Sequence, residues 1–189
     1  MKWGWSLLLA AFSLAACDQA GEQQEGEGGV SPEFSQKLPP LEQAAIDAGV
    51  IPDVRNMSLS GAFERRSDLG EDRFCAVGND ERGYQIGLLA VFGPDSKCEA
   101  MGAAERVGEN VRITLDNGLD TELGSGEKCS FSASFDGVSL RFPGKLPQSC
   151  KSHCTSPAVL DGVSFYLVGE GDAVARSTRG REIENLCPG

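Results

Sequence analysis

The chain has 189 residues and sets 17 lysines and arginines against 28 aspartates and glutamates, a net charge of −11. Such a polyanion is repelled by nucleic acid and anionic membrane surfaces, because phosphate binding is driven by cationic side chains, and no basic patch offsets the imbalance. The length suits one domain with its own core plus an extension.

Lys2 gives a positive start and Trp3 to Phe12 a short apolar run, which Leu14-Ala15-Ala16-Cys17 closes with small residues before a cysteine. The run falls below the roughly 20 apolar residues that a spanning helix needs, so residues 1–16 read as a removable signal peptide. Leu14-Ala15-Ala16-Cys17 resembles the lipobox of bacterial lipoproteins. The resemblance implies that Cys17 is the lipid-modified first residue of the mature chain, that acyl chains such as palmitate hold it on the bacterial cell membrane, and that the body faces the periplasm. In that family an aspartate directly after the lipidated cysteine favours inner-membrane retention in some bacteria, and Asp18 fits.

Residues 17–38 follow as a lipidated tether. Asp18, Glu22, Glu25, Glu27 and Glu33 stand against Lys37, with glycine and glutamine between, and such a segment cannot bury enough surface to offset its ordering entropy. A flexible chain of this length reaches roughly 25 Å. The remaining 39–189 read as the folded domain. Pro39-Pro40 ends the tether, and Leu41, Ala44, Ala45 and Ala48 recur at helical spacing before Gly49 and Pro52. The pattern predicts a short helix near 41–48 with its apolar stripe laid over the core as a lid.

From Met57 the period changes to two. Met57, Leu59 and Phe63 alternate with Ser58, Ser60 and Ala62, and Arg73 to Val77 continues the strand signal. Tyr84, Ile86, Leu88, Ala90 and Phe92 form one face of a segment whose other face carries Leu89 and Val91, as in a central strand apolar on both sides. Cys98 to Val107 is rich in alanine and glycine and ambiguous, whereas Val111, Ile113 and Leu115 alternate cleanly before a turn at Asn117-Gly118. Cys129 to Pro143 predicts a hairpin, with Phe131, Ala133 and Phe135 returning through a two-residue Asp136-Gly137 turn to Val138, Leu140 and Phe142. A last strand is expected at Val163 to Val168, and a short helix near 172–178 capped by Asp172 and stopped by Gly180. About eight strands with short turns predict a mostly β domain, an antiparallel meander forming a small barrel or a sandwich.

Besides Cys17, the cysteines are Cys75, Cys98, Cys129, Cys150, Cys154 and Cys187. An even number in an exported chain implies three disulfides, with the connectivity open. Spacing suggests Cys75 with Cys98, Cys129 with Cys150 and Cys154 with Cys187.

Candidate chemistry is sparse. Cys150, His153 and Cys154 combine soft and imidazole ligands and could hold copper(I) or zinc, but the competing demand for disulfides favours structural bridges, with His153 an exposed loop residue. No serine sits in the strand-turn-helix glycine context of a nucleophile, Gly124-Ser125-Gly126 reading as a loop. The neighbouring carboxylates Glu71 and Asp72, and Asp80 and Glu81, are expected in solvated turns, and Gly169-Glu170-Gly171-Asp172 as a turn. No catalytic residue and no cofactor is therefore expected.

The pattern from Pro39 onward, with its lead helix, cysteine-linked strands and Cys187, is similar to domains of uncharacterised bacterial lipoproteins, a resemblance that implies no activity. The expectation is a membrane-anchored, non-enzymatic binding module for an envelope protein partner or a small apolar ligand. The alternative is a periplasmic redox or copper/zinc-handling protein working through Cys150, His153 and Cys154.

Overall fold

Strands form where the alternation is cleanest, and the strands make a wall. The structure, a computed structural model, describes residues 39–51, 53–116 and 128–188. Eight strands follow in order: β1 (Gly61–Ser67), β2 (Gly70–Asn79), β3 (Gly83–Val91), β4 (Lys97–Val107), β5 (Asn110–Leu115), β6 (Cys129–Phe135), β7 (Ser139–Arg141) and β8 (Ser164–Glu170). Each pairs antiparallel with the next, and β8 pairs with β1. The meander is thus a closed barrel rather than a sandwich. Closure leaves no edge strand exposed to another chain.

The barrel is solid. An eight-stranded barrel is just wide enough for side chains to fill it, and here six phenylalanines do so in an unbroken series. Phe135 meets Phe63 at 6.0 Å between ring centroids, Phe63 meets Phe74 at 5.6 Å, and Phe74 meets Phe165 at 5.6 Å. Phe165 then meets Phe142 at 5.5 Å, and Phe142 meets Phe131 at 4.8 Å. Four of the five pairs are edge-on, an arrangement worth about 0.5–1.5 kcal/mol per pair beyond area burial. Ala76, Ala100, Ala104 and Ala133 share this core and make room for the rings. The alanine-rich stretch that is ambiguous in sequence is β4, whose small inward residues are the complement of the aromatics.

Both ends are closed by chain. At one, residues 53–60 cross the opening, and Leu59 is fully buried. Met57–Ser60, which the alternation places in the first strand, belongs to this crossing segment, and β1 begins at Gly61. At the other end the long β7–β8 connection folds inward, carrying a 3-10 turn at Gln148–His153 and burying Leu146, Cys150, Ala158 and Leu160 in the main core.

A second apolar cluster lies outside the wall. Cys75, Val77, Leu89 and Val91, on the outer faces of β2 and β3, are covered by Ala175, Leu186 and Cys187 with Ile183 beside them. This C-terminal covering is why β3 is apolar on both sides; a closed barrel has no central strand. Gly87 faces the covering, and a Cβ there would run into the backbone of Leu186.

Helix α1 (Pro40–Asp47) forms as its spacing predicts, but it is not a lid. It has no buried residue, and Leu41 is 83% exposed. The barrel end is instead covered by the segment that follows, whose Leu59 is fully buried. Helix α2 is only Asp172–Ala175, with Gly171 rather than Asp172 at its cap. The Asp172 carboxylate instead accepts from the Ser60 hydroxyl and from the Gly78 N–H, at 3.3 Å for the latter. In the β6–β7 hairpin Phe135 faces Leu140, so the loop is longer than two residues and Val138, expected inside, is exposed at its tip. Gly137 adopts φ 91° there, and the Asp136 carboxylate accepts from the Val138 and Ser139 N–H groups. Asn117-Gly118, Gly124-Ser125-Gly126, Pro52 and everything before Pro39, including Cys17 and the tether, lie outside the described residues.

Candidate functional site

The bridges are Cys75–Cys187, Cys98–Cys154 and Cys129–Cys150. Only the third matches the pairing suggested by spacing. Cys75 points out of the wall with Val77, while Cys98 points inward with Ala100, so a Cys75–Cys98 bridge would have to pass through the sheet. Cys154, packed against the interior core, is separated from Cys187 by the same wall.

Two of the bridges therefore hold one plug. Cys98 on β4 and Cys129 on β6 fasten the two ends of the Gln148–His153 turn inside the barrel mouth. The Thr155 N–H adds a 2.8 Å bond to the Lys97 carbonyl, and the Lys97 N–H returns one of 2.8 Å to the Thr155 hydroxyl. His153 is half-buried rather than exposed, and its Nε2 is buried without a partner among the described residues. Burial pushes its pKa down, partly countered by the Asp116 carboxylate. Cys150 and Cys154 sit in different disulfides, so neither offers the thiolate that a metal or exchange reaction requires. Among the described residues no three His, Cys, Asp or Glu side chains converge as a metal site.

The other singled-out groups have structural partners. Glu71 pairs with Arg73 at 2.8 Å. Asp72 is not solvated but fully buried, paired with Arg65 at 2.6 Å and accepting from the Val91 N–H at 2.7 Å. Asp80 accepts from the Tyr84 hydroxyl at 2.6 Å and pairs with Arg106 at 3.2 Å. Glu81 lies in the β2–β3 turn, and the expected turn at Gly169 to Asp172 is the end of β8 running through Gly171 into α2, with Asp172 bound by Ser60 and the Gly78 N–H as a structural partner.

Arg106 escapes a sequence reading altogether. It extends the inward series Ala100, Gly102, Ala104 to the closed end, where its guanidinium donates to the carbonyls of Val54, Arg55 and Met57 and lies 5.6 Å from the Phe135 ring centroid. The only signal for it is that parity. Glu99 is the second such residue: its carboxylate accepts from the N–H groups of Arg181, Glu182 and Ile183 at 2.7–3.1 Å and anchors the C-terminal covering.

What remains open to a partner is the outer surface. Tyr166 and Val168 on β8 face outward and are 48% and 56% exposed, with Val138 (53%) beside them at the hairpin tip and Val174 (40%) seated against Gly169. The Val138 carbonyl accepts from the Leu167 N–H at 2.7 Å, which fixes the tip to β8. Two and three strands further round the wall, β6 and β5 present Ser130, Ser132, Ser134, Arg112 and Thr114, a polar face. Other exposed apolar residues stand elsewhere, Leu69 and Val107 at the β1–β2 and β4–β5 turns and Leu41, Val50 and Ile51 at and just after helix α1, but the β8 group brings four together.

No protein-family model, no curated protein and no solved structure matches this chain. The class that the geometry defines is a closed, eight-stranded antiparallel meander barrel with a filled interior and three disulfides.

Proposed function

We propose that the protein is a lipid-anchored, non-enzymatic module of the bacterial cell envelope that holds a protein partner against the outside of its barrel. The observation that carries this reading is the filled interior. Among the described residues, six rings in edge-on or tilted contact, with chain across both ends, occupy the interior where a hollow barrel of this size would take a small apolar ligand, and they turn attention to the outer surface. Val138, Tyr166, Val168 and Val174 form the apolar centre of that surface, and exposed tyrosine in such a patch is the residue type that anchors protein interfaces. The acidic remainder of the body suits a partner with a basic rim. Anchoring rests on the lipobox resemblance at Leu14-Ala15-Ala16-Cys17, with Cys17 carrying the lipid and the body on the periplasmic side.

A photo-crosslinking residue placed at Tyr166 in the full-length, membrane-associated protein should trap one defined protein. The same residue at Ser132 on the polar face should not. Equal trapping from both positions, or none from Tyr166, would remove the outer β8 face as the docking surface. A reproducible small-molecule mass retained by the extracted protein would restore the ligand reading.

A further inference from the structure

The three disulfides divide into two kinds. Cys98–Cys154 and Cys129–Cys150 join strands to the plug within the interior core, whereas Cys75–Cys187 lies wholly on the outside of β2. It fastens a strap, residues 176–188, that follows the last strand of the wall and contributes no strand itself. The strap's backbone bonds to itself, Gly180 N–H to Ile183 carbonyl at 3.0 Å and Leu186 N–H to Thr178 carbonyl at 3.2 Å, and to the Glu99 carboxylate. Further polar ties are Lys97 to Glu182 at 2.8 Å, the Arg73 guanidinium donating to the Arg179 carbonyl at 3.0 Å and the Arg181 guanidinium donating to the Pro94 carbonyl at 3.4 Å, and Leu186 is fully buried against the wall. Among the described residues it replaces no ladder bond of the barrel, so it can lift without any strand changing partner. Beneath it lie Val77, Leu89 and Val91, each at most 7% exposed while covered.

We propose that Cys75–Cys187 is a redox latch, whose reduction frees the strap and uncovers an apolar face on β2 and β3 while the barrel and its plug stay closed. The inference is independent of the anchoring and of the β8 surface. The reductant is a vicinal dithiol of the thiol–disulfide exchange class. Its thiolate attacks Sγ of Cys187 after the strap opens locally, the Cys187–Cys75 bond breaks, and Cys75 leaves as a thiolate that takes a proton. The second donor thiol then resolves the mixed disulfide, so two electrons and two protons reach Cys75 and Cys187 and the donor ends as a disulfide. Static exposure does not set the order, since Cys75 and Cys187 are fully buried and Cys154 only partly so; the difference is that the strap lifts without disturbing the wall, whereas opening Cys98–Cys154 or Cys129–Cys150 frees a turn packed into the interior core. Gly87 lets the strap lie flush, since a side chain there would run into Leu186; the strap is held from β3 by apolar contact with Leu89 and Val91, with no ladder bond.

The test uses the full chain, wild type and Cys187→Ser, with dithiothreitol as the dithiol. Graded reduction followed by alkylation mapping should label Cys75 and Cys187 before any other cysteine. Hydrogen exchange in Cys187→Ser should lose protection across 176–188 by about thirty-fold or more, as removal of a cross-link predicts, with β5 and β6 amides unchanged. Three results would overturn the latch: strap protection equal to wild type in Cys187→Ser, a Cys187→Ser protein that does not fold, or reduction in which all three bridges and the β5–β6 protection are lost together.

Discussion

Replacing Arg106 with methionine tests how the barrel end is closed. The side chain is 1% exposed, yet it serves three backbone carbonyls of the crossing segment, those of Val54, Arg55 and Met57, together with Asp80. Methionine keeps the stem volume against Phe135, so little cavity forms. It strips the carbonyls of their donor, at about 1.5–3 kcal/mol for each bond to a charged group if taken singly. The sum is an overestimate. The bonds share one guanidinium, Asp80 is half-exposed and returns to water, and the variant is spared the desolvation of a buried cation whose Nε has no partner among the described residues. A net loss of about 2–4 kcal/mol follows. For a body of this size that corresponds to a melting temperature lower by roughly 5–15 °C. Urea denaturation with the disulfides intact, read by circular dichroism, measures it, with Arg112→Met on the polar outer face as a control expected within about 0.5 kcal/mol of wild type. Arg106→Met within about 1 kcal/mol of wild type would refute the reasoning, because the crossing segment would then be held by Leu59 burial alone.

Other expectations follow from the same geometry. Phe74→Ala removes the ring that links Phe63 to Phe165 and should cost about 3–5 kcal/mol in the same assay. Burial raises the pKa of Glu99, but Lys97 and the N–H groups of Ile183, Glu182 and Arg181 outweigh it, so the folded pKa is below the ordinary 4.5. The carboxylate therefore contributes stability above pH 4.5 that is lost as the pH falls through the lower folded value. Strap exchange in wild type and Glu99→Gln should differ at pH 7 and converge in acid. The folded pKa of His153 is lowered from 6.5 by burial, so the folded state binds the proton less readily than the unfolded one and stability should decline as the pH falls below 6.5. His153→Gln should flatten that part of the pH–stability curve, and an NMR titration of the imidazole should give a midpoint below 6.5.

The strands were legible where one face is water and the other is core. β5 and β6 alternate buried and exposed residues as their sequences do, and β3 betrays its two-sided burial through Leu89 and Val91. What alternation cannot supply is the identity of the second face: the cover over β3 comes from residues nearly a hundred positions later. The same gap misdirects the cysteines. In Phe74-Cys75-Ala76-Val77 both faces are apolar, so the sequence has no contrast from which to read that Cys75 points outward. In β4 the inward Ala100 and Ala104 are no more apolar than the outward Met101 and Ala103, which hides both the strand and the inward course of Arg106. Helix α1 follows from local spacing, but whether its stripe packs depends on the competing segment from Asp53 to Ser60. The β8 patch was half visible, since Val163 to Val168 reads as a strand while the exposure of its outer face depends on what the rest of the chain leaves uncovered.

The most direct measurement is a non-reducing peptide map, by mass spectrometry, of the full-length protein extracted from its membrane fraction. A lipid-anchored barrel with a disulfide-held plug predicts cross-linked peptides joining Cys75 to Cys187, Cys98 to Cys154 and Cys129 to Cys150, and an N-terminal peptide that begins at an acylated Cys17. Peptides joining Cys75 to Cys98 or Cys154 to Cys187, or alkylatable thiols at Cys150 and Cys154, would contradict the filled and plugged barrel, and an unmodified Cys17 would contradict the anchor.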